Sequence, residues 1–272
     1  MSEAGFGAFE ASAWIAVPSR DDDKYSRGVV GFVTGSERYP GAAVLGVEAA
    51  LRTGVGMVRY LGPEEPRRLV LQRRPEAVVA AGRVQAWVLG SGQDPLGLDD
   101  AEGERLDAAL ADGVATVLDG GALERHAATR GPVVLTPHAG ELARLLGIAA
   151  EEVAAAPARR AREAADLTGA VVLLKGHVTR VAQPGGGLLA VSGAPSWLAT
   201  AGAGDALAGV LGALLATHAA ELATDPEALP RLAATAAVIH GLAAGRASAG
   251  GPFTVLDLCA AIPAVVAELT AG

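Results

Sequence analysis

The chain has 272 residues, a formal net charge of −8 at pH 7, and a composition that is 51% hydrophobic but only 4% aromatic. The acidic balance argues against nucleic-acid binding, which needs a basic face that neutralises phosphates, whereas a small anion could still be held by backbone N–H groups. The single cysteine, Cys259, excludes an intrachain disulfide and a cysteine-based metal site. Because the sequence has neither a signal-peptide pattern nor a charge-free, strongly apolar stretch of about 18 residues, we expect a cytoplasmic protein that enters no membrane.

Short apolar runs alternate with helical patterns along the chain. Residues 1–23 show little periodicity and are expected to form an arm or the remnant of a linker, followed by one domain over residues 24–272. The predicted strands are Val29–Thr34, Met57–Leu61, Ala86–Leu89, Val114–Leu118, Val133–Leu135, Val171–Leu174 and the hairpin pair Val178–Ala182 and Leu188–Val191. Helices are predicted from Pro40 to Leu51, over Leu98–Ala111, Glu141–Leu146 and Glu151–Thr168, and almost continuously after Thr200. This alternation is typical of an α/β domain with a mostly parallel central sheet and helices on both faces.

The segment Ala199–Asp205, which precedes a helical run, carries the strongest chemical signal. Gly202 and Gly204 let the backbone turn its N–H groups inward, and the helix start adds a partial positive charge, so the segment can cradle a phosphate or an oxyanion. Asp205 stands in the first turn of this helix. Since an acidic residue there is often only a cap for free N–H groups, the motif alone leaves a catalytic and a structural interpretation open.

Two further polar clusters follow predicted strands, at the edge where ligands bind in such folds. In Thr136–Glu141, the side chains of His138 and Glu141 are expected near a strand-end pocket, although a capped helix with a surface histidine would give the same pattern. In Lys175–Thr179, the lysine can reach a phosphate and Thr179 can bond a second oxygen. A lone lysine at a strand end is, however, usually just solvated.

Two glycine-rich junctions complete the set. Gly90–Asp94 leaves a strand and permits close approach of a ligand, and Gly35–Ser36 with Tyr39–Ala43 leaves room for a bulky planar one. The sequence contains no Walker lysine motif, and Pro95 occupies the third glycine position of a dinucleotide fingerprint that would begin at Gly90. The phosphate chemistry is therefore not that of a P-loop protein or a Rossmann dehydrogenase.

The order and spacing of these pieces resemble the NAD(P)H-hydrate dehydratases, a branch of the ribokinase-like superfamily. The resemblance runs from about Lys24 to Leu269 and rests on Lys24–Gly28, Gly35–Ser36 with Tyr39–Ala42, Thr136–Glu141, Lys175–Gly176 and Ala199–Asp205. It implies a ribokinase-like fold and the ADP-dependent dehydration of the S-epimer of hydrated NADH or NADPH, with release of AMP and phosphate; ATP is the alternative to ADP. Many relatives also carry an N-terminal epimerase domain, so we expect either a stand-alone enzyme or the C-terminal half of a bifunctional one.

The resemblance also implies roles for individual residues. Asp205 matches the family's acidic residue and would act as general base, activating the ring hydroxyl for attack on the terminal phosphoryl group. The hydrate site would be lined by Ala42, Gly92, His138 and Asp205. The adenine nucleotide would be held by Lys175, Gly176, His177, Val178, Thr179, Gly202 and Gly204. Mg²⁺ is implied by the phosphoryl step, although the sequence has no dedicated ligand cage, and relatives suggest a homo-oligomer, a tetramer.

Two departures from the family pattern concern metal or nucleotide contacts. Asp119 is followed by Gly120 and Gly121, where the family commonly has a second carboxylate, and Ala194 stands where an asparagine is common. The alternative function is that of a ribokinase-like kinase that phosphorylates a vitamin-type alcohol and stops there. The segments Thr136–Glu141 and Tyr39–Ala42 favour the dehydratase. A non-catalytic nucleotide-binding module would be expected to lack the base, whereas Asp205 is present.

Overall fold

The computed structural model describes residues 3–94 and 100–271. The strands in these ranges are β1 (Ala4–Gly5), β2 (Val29–Val33), β3 (Met57–Tyr60), β4 (Ala86–Leu89), β5 (Ala115–Leu118), β6 (Val133–Leu135), β7 (Val171–Leu174), β8 (Thr179–Ala182) and β9 (Leu188–Val191). They form one sheet with the order β1-β9-β8-β7-β6-β5-β4-β2-β3. Neighbouring strands are parallel except at β7–β8 and β8–β9. The mostly parallel sheet expected from the sequence is thereby confirmed.

Helices cover both faces of the sheet. They are α1 (Ala8–Ser12), α2 (Gly41–Thr53), α3 (Glu64–Arg73), α4 (Asp100–Ala111), α5 (Ala139–Leu146), α6 (Ala150–Ala155), α7 (Pro157–Thr168), α8 (Ala203–Thr217), α9 (Ala219–Leu222), α10 (Ala228–Ser248) and α11 (Val255–Ala271). One apolar core lies under α2, α8, α10 and α11, and a second core under α4, α5 and α7. Strands buried on both faces need apolar residues throughout, which explains the unbroken Val- and Leu-rich runs of β4 and β7.

The structure differs from the predicted helices in two main respects. The sequence does not reveal α3, because half of its residues are charged and only Pro66 and Val70 are buried. The helix predicted over Glu151–Thr168 is divided into α6 and α7, since Pro157 occupies the first position of a new helix. The helix predicted over Leu98–Ala111 begins outside the described residues, which resume at Asp100 in α4.

The crossing of α2 and α8 brings two backbones almost into contact. A Cβ atom on Gly209 of α8 would lie 2.2 Å from the carbonyl oxygen of Gly46 on α2. Only glycine fits such an approach. The small residues of α8 therefore let this buried helix lie between α2 and the strands β2, β4 and β5, and its first turn then lies beside the carboxyl ends of those strands.

The N-terminal segment is part of the folded unit. The sequence predicts an arm or linker remnant over residues 1–23, whereas β1 pairs in parallel with β9 and Phe6 and Ala11 are buried. Helix α1 packs against α10 and α11. The structure thus places one edge of the sheet well before residue 24. The sequence could not reveal this, because a strand of two residues shows no periodicity.

Helix α10 is the one helix among the described residues that is long and apolar enough to cross a membrane. Most of it is buried inside the protein, where it contacts α8, α11 and the strands β7, β8 and β9. Its apolar surface is therefore used within the fold, as in the core helix of a globular domain.

Candidate active site

A cleft of about 820 Å³ opens at the carboxyl ends of the parallel strands. Gly92 follows β4, Asp119 follows β5, His138 follows β6, Lys175 follows β7, and Asp205 lies in the first turn of α8; all five line the cleft. The sheet explains this convergence, because its parallel strands β4, β5, β6 and β7 all end at the same edge.

The start of α8 packs closely against the side chain of Leu45. Gly202 has a φ of +90°, and a Cβ atom there would lie 2.4 Å from Cδ1 of Leu45, so this position requires glycine. No side-chain hydrogen bond caps this end of α8. Asp205 therefore does not cap the helix, as the structural interpretation of the motif would require. Its carboxylate lines the cleft instead.

The environment of Asp205 favours its protonated form. Burial and the nearby Asp119 carboxylate raise the pKa of Asp205 to about 7, although the Lys175 ammonium acts in the opposite direction. A carboxyl group with this pKa is partly ionised near neutral pH and can both take up and return a proton. General bases work best when their pKa lies near the operating pH, and a strongly shifted carboxyl in a cleft marks a functional site.

Beside Asp205 lies an ion pair whose carboxylate is buried and whose lysine is only partly exposed. Oδ1 of Asp119 is 2.8 Å from Nζ of Lys175 and also accepts a hydrogen bond from Oγ1 of Thr136, at 2.8 Å. Oδ2 accepts a hydrogen bond from Oγ of Ser91, at 2.9 Å. Burial alone would raise the pKa of Asp119, but Lys175 and the two hydroxyls lower it below its usual range. Asp119 is thus held ionised.

His138 and Glu141 play a structural part and line the cleft as well. Nδ1 of His138 accepts hydrogen bonds from the backbone N–H groups of Gly140 and Glu141, at 3.0 and 3.2 Å, and Oε2 of Glu141 accepts one from the backbone of His138 at 2.8 Å. These bonds cap the start of α5. The capped helix considered from the sequence is present, and the exposed ring of His138 and the Glu141 side chain also line the cleft.

The predicted hydrate-site residues Ala42 and Gly92 lie against each other. A Cβ atom on Gly92, whose φ is +68°, would lie 2.4 Å from Cβ of Ala42. Gly92 lines the cleft, and Ala42 lies behind it rather than on the surface of the cleft. A larger side chain at either position would therefore push the wall inward.

Most of the predicted nucleotide-binding residues line the same cleft, namely Lys175, Gly176, His177, Thr179, Gly202 and Gly204. Val178 does not line it; its carbonyl accepts a hydrogen bond from Nη1 of Arg180 at 3.3 Å. A smaller cavity of about 150 Å³ adjoins the cleft and shares Gly176, His177 and Thr179 with it. The N-terminal Phe6 contributes to the wall of this second cavity.

Among the cleft residues that the sequence-based prediction of the site did not include are Asp119, Gln93 and His240. The sequence analysis names Asp119 only because the carboxylate that commonly follows it in the family is missing. A charged residue directly after a buried strand is itself a signal for a site residue, and Asp119 directly follows β5. The amide atoms of Gln93 and the Nε2 atom of His240 are buried without a hydrogen-bond partner in the described ranges. Burial lowers the pKa of His240 to about 4, so its ring is neutral. No local pattern marks His240, because its helix reaches the cleft only through tertiary packing.

A dedicated metal cage is not formed by the part of the chain that the structure describes, in which no three His, Cys, Asp or Glu side chains cluster. Both Asp119 oxygens are already engaged by hydroxyls or by Lys175. The residues therefore do not enclose an ion by themselves.

Sequence comparison places the chain among known proteins. The model of the NAD(P)H-hydrate dehydratase family matches residues 30–262. A bifunctional NAD(P)H-hydrate repair enzyme of Mycobacterium tuberculosis is 44% identical over 227 residues, which are 78% of this chain and 46% of that enzyme. The chain thus spans about half the length of such bifunctional relatives. An ADP-dependent (S)-NAD(P)H-hydrate dehydratase of Xanthomonas campestris is 37% identical over 72% of this chain and 74% of its own.

Solved structures agree with the sequence comparison. The ADP/ATP-dependent NAD(P)H-hydrate dehydratase from Bacillus subtilis, co-crystallised with ATP and Mg²⁺, superposes with a TM-score of 0.86 and 25% identity over 99% of both chains. A hydroxyethylthiazole kinase from Pyrococcus horikoshii has a TM-score of 0.65 at 20% identity and shares the fold alone. The matched family model, the relatives and the ribokinase-like fold together establish that the chain belongs to the NAD(P)H-hydrate dehydratase family.

Proposed function

We propose that the chain catalyses the ADP-dependent dehydration of the S-epimer of hydrated NADH and NADPH, with release of AMP and phosphate. The observation that carries this proposal is Asp205, a carboxyl group with a pKa of about 7 in the first turn of α8, beside Lys175 and in a cleft of about 820 Å³. A base, a cation and free helix N–H groups are the parts that phosphoryl transfer to a hydroxyl requires.

The reaction would begin with proton transfer to Asp205. The ionised carboxylate takes the proton of the ring hydroxyl, and the hydroxyl oxygen attacks the terminal phosphoryl group of ADP, with AMP as the leaving group. Phosphate is a far better leaving group than hydroxide. The ring C–O bond then breaks with departure of phosphate, and loss of a ring proton restores the double bond of the dihydronicotinamide.

The start of α8 would stabilise the phosphoryl group during transfer. The backbone N–H groups of Gly204 and Asp205 have no carbonyl one helical turn earlier to pair with, unlike that of Ala206, which donates to Gly202. Such N–H groups at a helix start face negative charge favourably. Nζ of Lys175 lies 3.3 Å from the place that a Cβ atom on Gly204 would occupy, so the ammonium and the helix start act on the same side of the cleft. Gly92 and His138 are proposed to form the hydrate side of the cleft, with Ala42 supporting Gly92 from behind.

The nucleotide and the metal are assigned to the same part of the cleft. We assign the nucleotide to Lys175–Thr179, Gly202 and Gly204, with ADP as co-substrate and ATP as its substitute. Mg²⁺ is usually held by substrate phosphates and water rather than by a protein cage, which agrees with the described residues. Bound in this way, the ion would neutralise charge on the phosphate oxygens.

The proposal extends to location and assembly. We infer a cytoplasmic homo-oligomer, a tetramer, as the family resemblance implies. Sedimentation equilibrium of the purified protein tests the assembly, and a monomer at micromolar concentration would contradict it.

The test is recovery of reduced nicotinamide absorbance when the protein is incubated with NADH hydrate and ADP. The Asp205→Asn variant should lose turnover while it keeps ADP binding, measured by calorimetry. The control is Asp257→Asn, which alters a carboxylate in the first turn of α11 and should keep full activity. If neither ADP nor ATP restores absorbance with the wild-type protein, the dehydratase proposal is wrong. A stable phosphorylated product would instead favour the kinase.

A further inference from the structure

The Asp119 carboxylate is the most completely satisfied charged group of the cleft. It accepts hydrogen bonds from Thr136 and Ser91 and pairs with Lys175. These three side chains follow β6, β4 and β7, respectively, and all contact the one residue that follows β5. Only 5% of Asp119 is exposed. A buried carboxylate with these partners is held in place. Although Asp119 lines the cleft, both of its oxygens are already engaged by protein groups.

Lys175 depends on this carboxylate for its charge and position. Its Nζ atom lies 2.8 Å from Asp119 and 3.8 Å from Oε2 of Glu141 at the start of α5. Burial alone would lower the pKa of Lys175, but Asp119 and Glu141 raise it above its usual range. On its open side the ammonium faces the first turn of α8, next to Gly204.

We propose that Asp119 is the positioning residue of the site: it holds the Lys175 ammonium against the first turn of α8, where Lys175 and Asp205 meet the phosphoryl group that is transferred. The inference rests on the proposed function for the identity of that group. Thr136 and Ser91 hold Asp119 in turn. Asp119 therefore acts in two ways: it holds the Lys175 ammonium in place, and its negative charge raises the pKa of Asp205.

The surrounding charges give the inference a measurable consequence. The groups that face Asp205 are Asp119 and Lys175; Glu141 faces Lys175 from α5, and His240 on α10 is neutral. Asp119 raises the pKa of Asp205 more strongly than Lys175 lowers it. Removing the Asp119 charge should therefore lower the pKa of Asp205, and it should also lower the pKa of Lys175, whose burial is then no longer compensated.

The experiment compares the wild-type protein with Asp119→Asn. The titration midpoint of the Asp205 carboxyl carbon is followed by NMR, with Asp205→Asn used to assign its signal. We expect the midpoint to move to lower pH in Asp119→Asn, and kcat/KM at pH 7 to fall by roughly 100-fold, as for a displaced catalytic group. The control is Asp112→Asn, because Asp112 also accepts a side-chain hydrogen bond, from Trp87 at 3.0 Å, but does not line the cleft. It should leave the midpoint unchanged.

An unchanged Asp205 midpoint in a folded Asp119→Asn protein would overturn the inference, whatever its activity. The NMR titration needs no turnover, so it decides the inference even if the wild-type protein fails to convert NADH hydrate. If Asp119→Asn does not fold, Ser91→Ala decides instead. It loosens Asp119 without removing charge and should lower kcat by about tenfold, the effect of losing one hydrogen bond to a charged group, in a protein that is still folded at the assay temperature. An unchanged kcat in that variant would overturn the inference as well.

Discussion

Replacing Asp205 with asparagine should stabilise the folded protein at pH 8, although it abolishes activity. The pKa of Asp205 rises from 3.8 in an unfolded chain to about 7 in the folded protein, first because of burial and then because of Asp119. The folded state therefore binds this proton more tightly than the unfolded state does. Catalytic residues often carry such a cost, because the site is arranged for the reaction rather than for stability.

The sign of the pH dependence follows from the two pKa values. Below about pH 4 the carboxyl is protonated in both states and imposes no cost. Between about pH 4 and pH 7 only the unfolded state ionises, so the free energy of unfolding of the wild-type protein falls as the pH rises. Above pH 7 both states are ionised, and the full cost is present. Asparagine has no such titration, so the gain from Asp205→Asn should grow through this pH range.

The magnitude can be bounded from the shift. A change of roughly three pKa units corresponds to about 4 kcal/mol, which is the upper limit for the gain at pH 8. Because Asp205 is only partly buried and borders the open cleft, solvent screening reduces this value. We therefore expect Asp205→Asn to be more stable than the wild-type protein by ~2 kcal/mol at pH 8, and by little at pH 4.

The assay is urea unfolding of both proteins at pH 5, 6, 7 and 8. Asp257→Asn is the matched control, since Asp257 also lies in the first helical turn but its pKa is lowered by hydrogen bonds from Thr254. Its titration lies below pH 4, so its effect on stability should be constant from pH 5 to 8. The reasoning about Asp205 is refuted if the stability difference between Asp205→Asn and the wild-type protein is also constant over this range.

Two further predictions concern packing and a buried charge. Gly209→Ala should lower the free energy of unfolding by about 3 kcal/mol, because its Cβ atom would clash with the Gly46 carbonyl, whereas Gly245→Ala, with no atom nearby, should be neutral or stabilising in the same urea titration. Glu48→Gln should lower the free energy of unfolding by about 3 kcal/mol at pH 7. The reason is that burial would raise the pKa of Glu48, but three arginines lower it to about 2. That loss should shrink as the pH falls from about 4.5 towards 2, and equal losses at pH 3 and pH 7 would contradict it.

The location of the candidate site was largely accessible from the sequence. Glycine-rich strand exits and polar residues after buried strands have local signatures, and the parallel sheet then brings them to one edge. Gly92, His138, Lys175 and Asp205 were all predicted, and all line the cleft. Ala42 lies behind Gly92 rather than on the surface, a difference of one layer that no sequence pattern specifies.

The sequence could not reveal features that depend on partners far along the chain. Asp119 and Lys175 are 56 residues apart and form their ion pair only when β5 and β7 flank β6. His240 reaches the cleft from the middle of a long helix. Helix α3 has too few buried residues to show a periodic pattern, and β1 is recognisable only by its pairing with β9.

The sequence by itself determined the alternation of strands and helices, the glycines at tight turns, and the presence of Asp205 at a helix start, because these depend on periodicity and backbone freedom within a few residues. Only the tertiary structure decided how readily Asp205 gains and loses a proton. Its burial and its distance from Asp119 and Lys175 bring its pKa close to 7, and those quantities arise from packing and Coulomb interactions among segments that are remote in the chain.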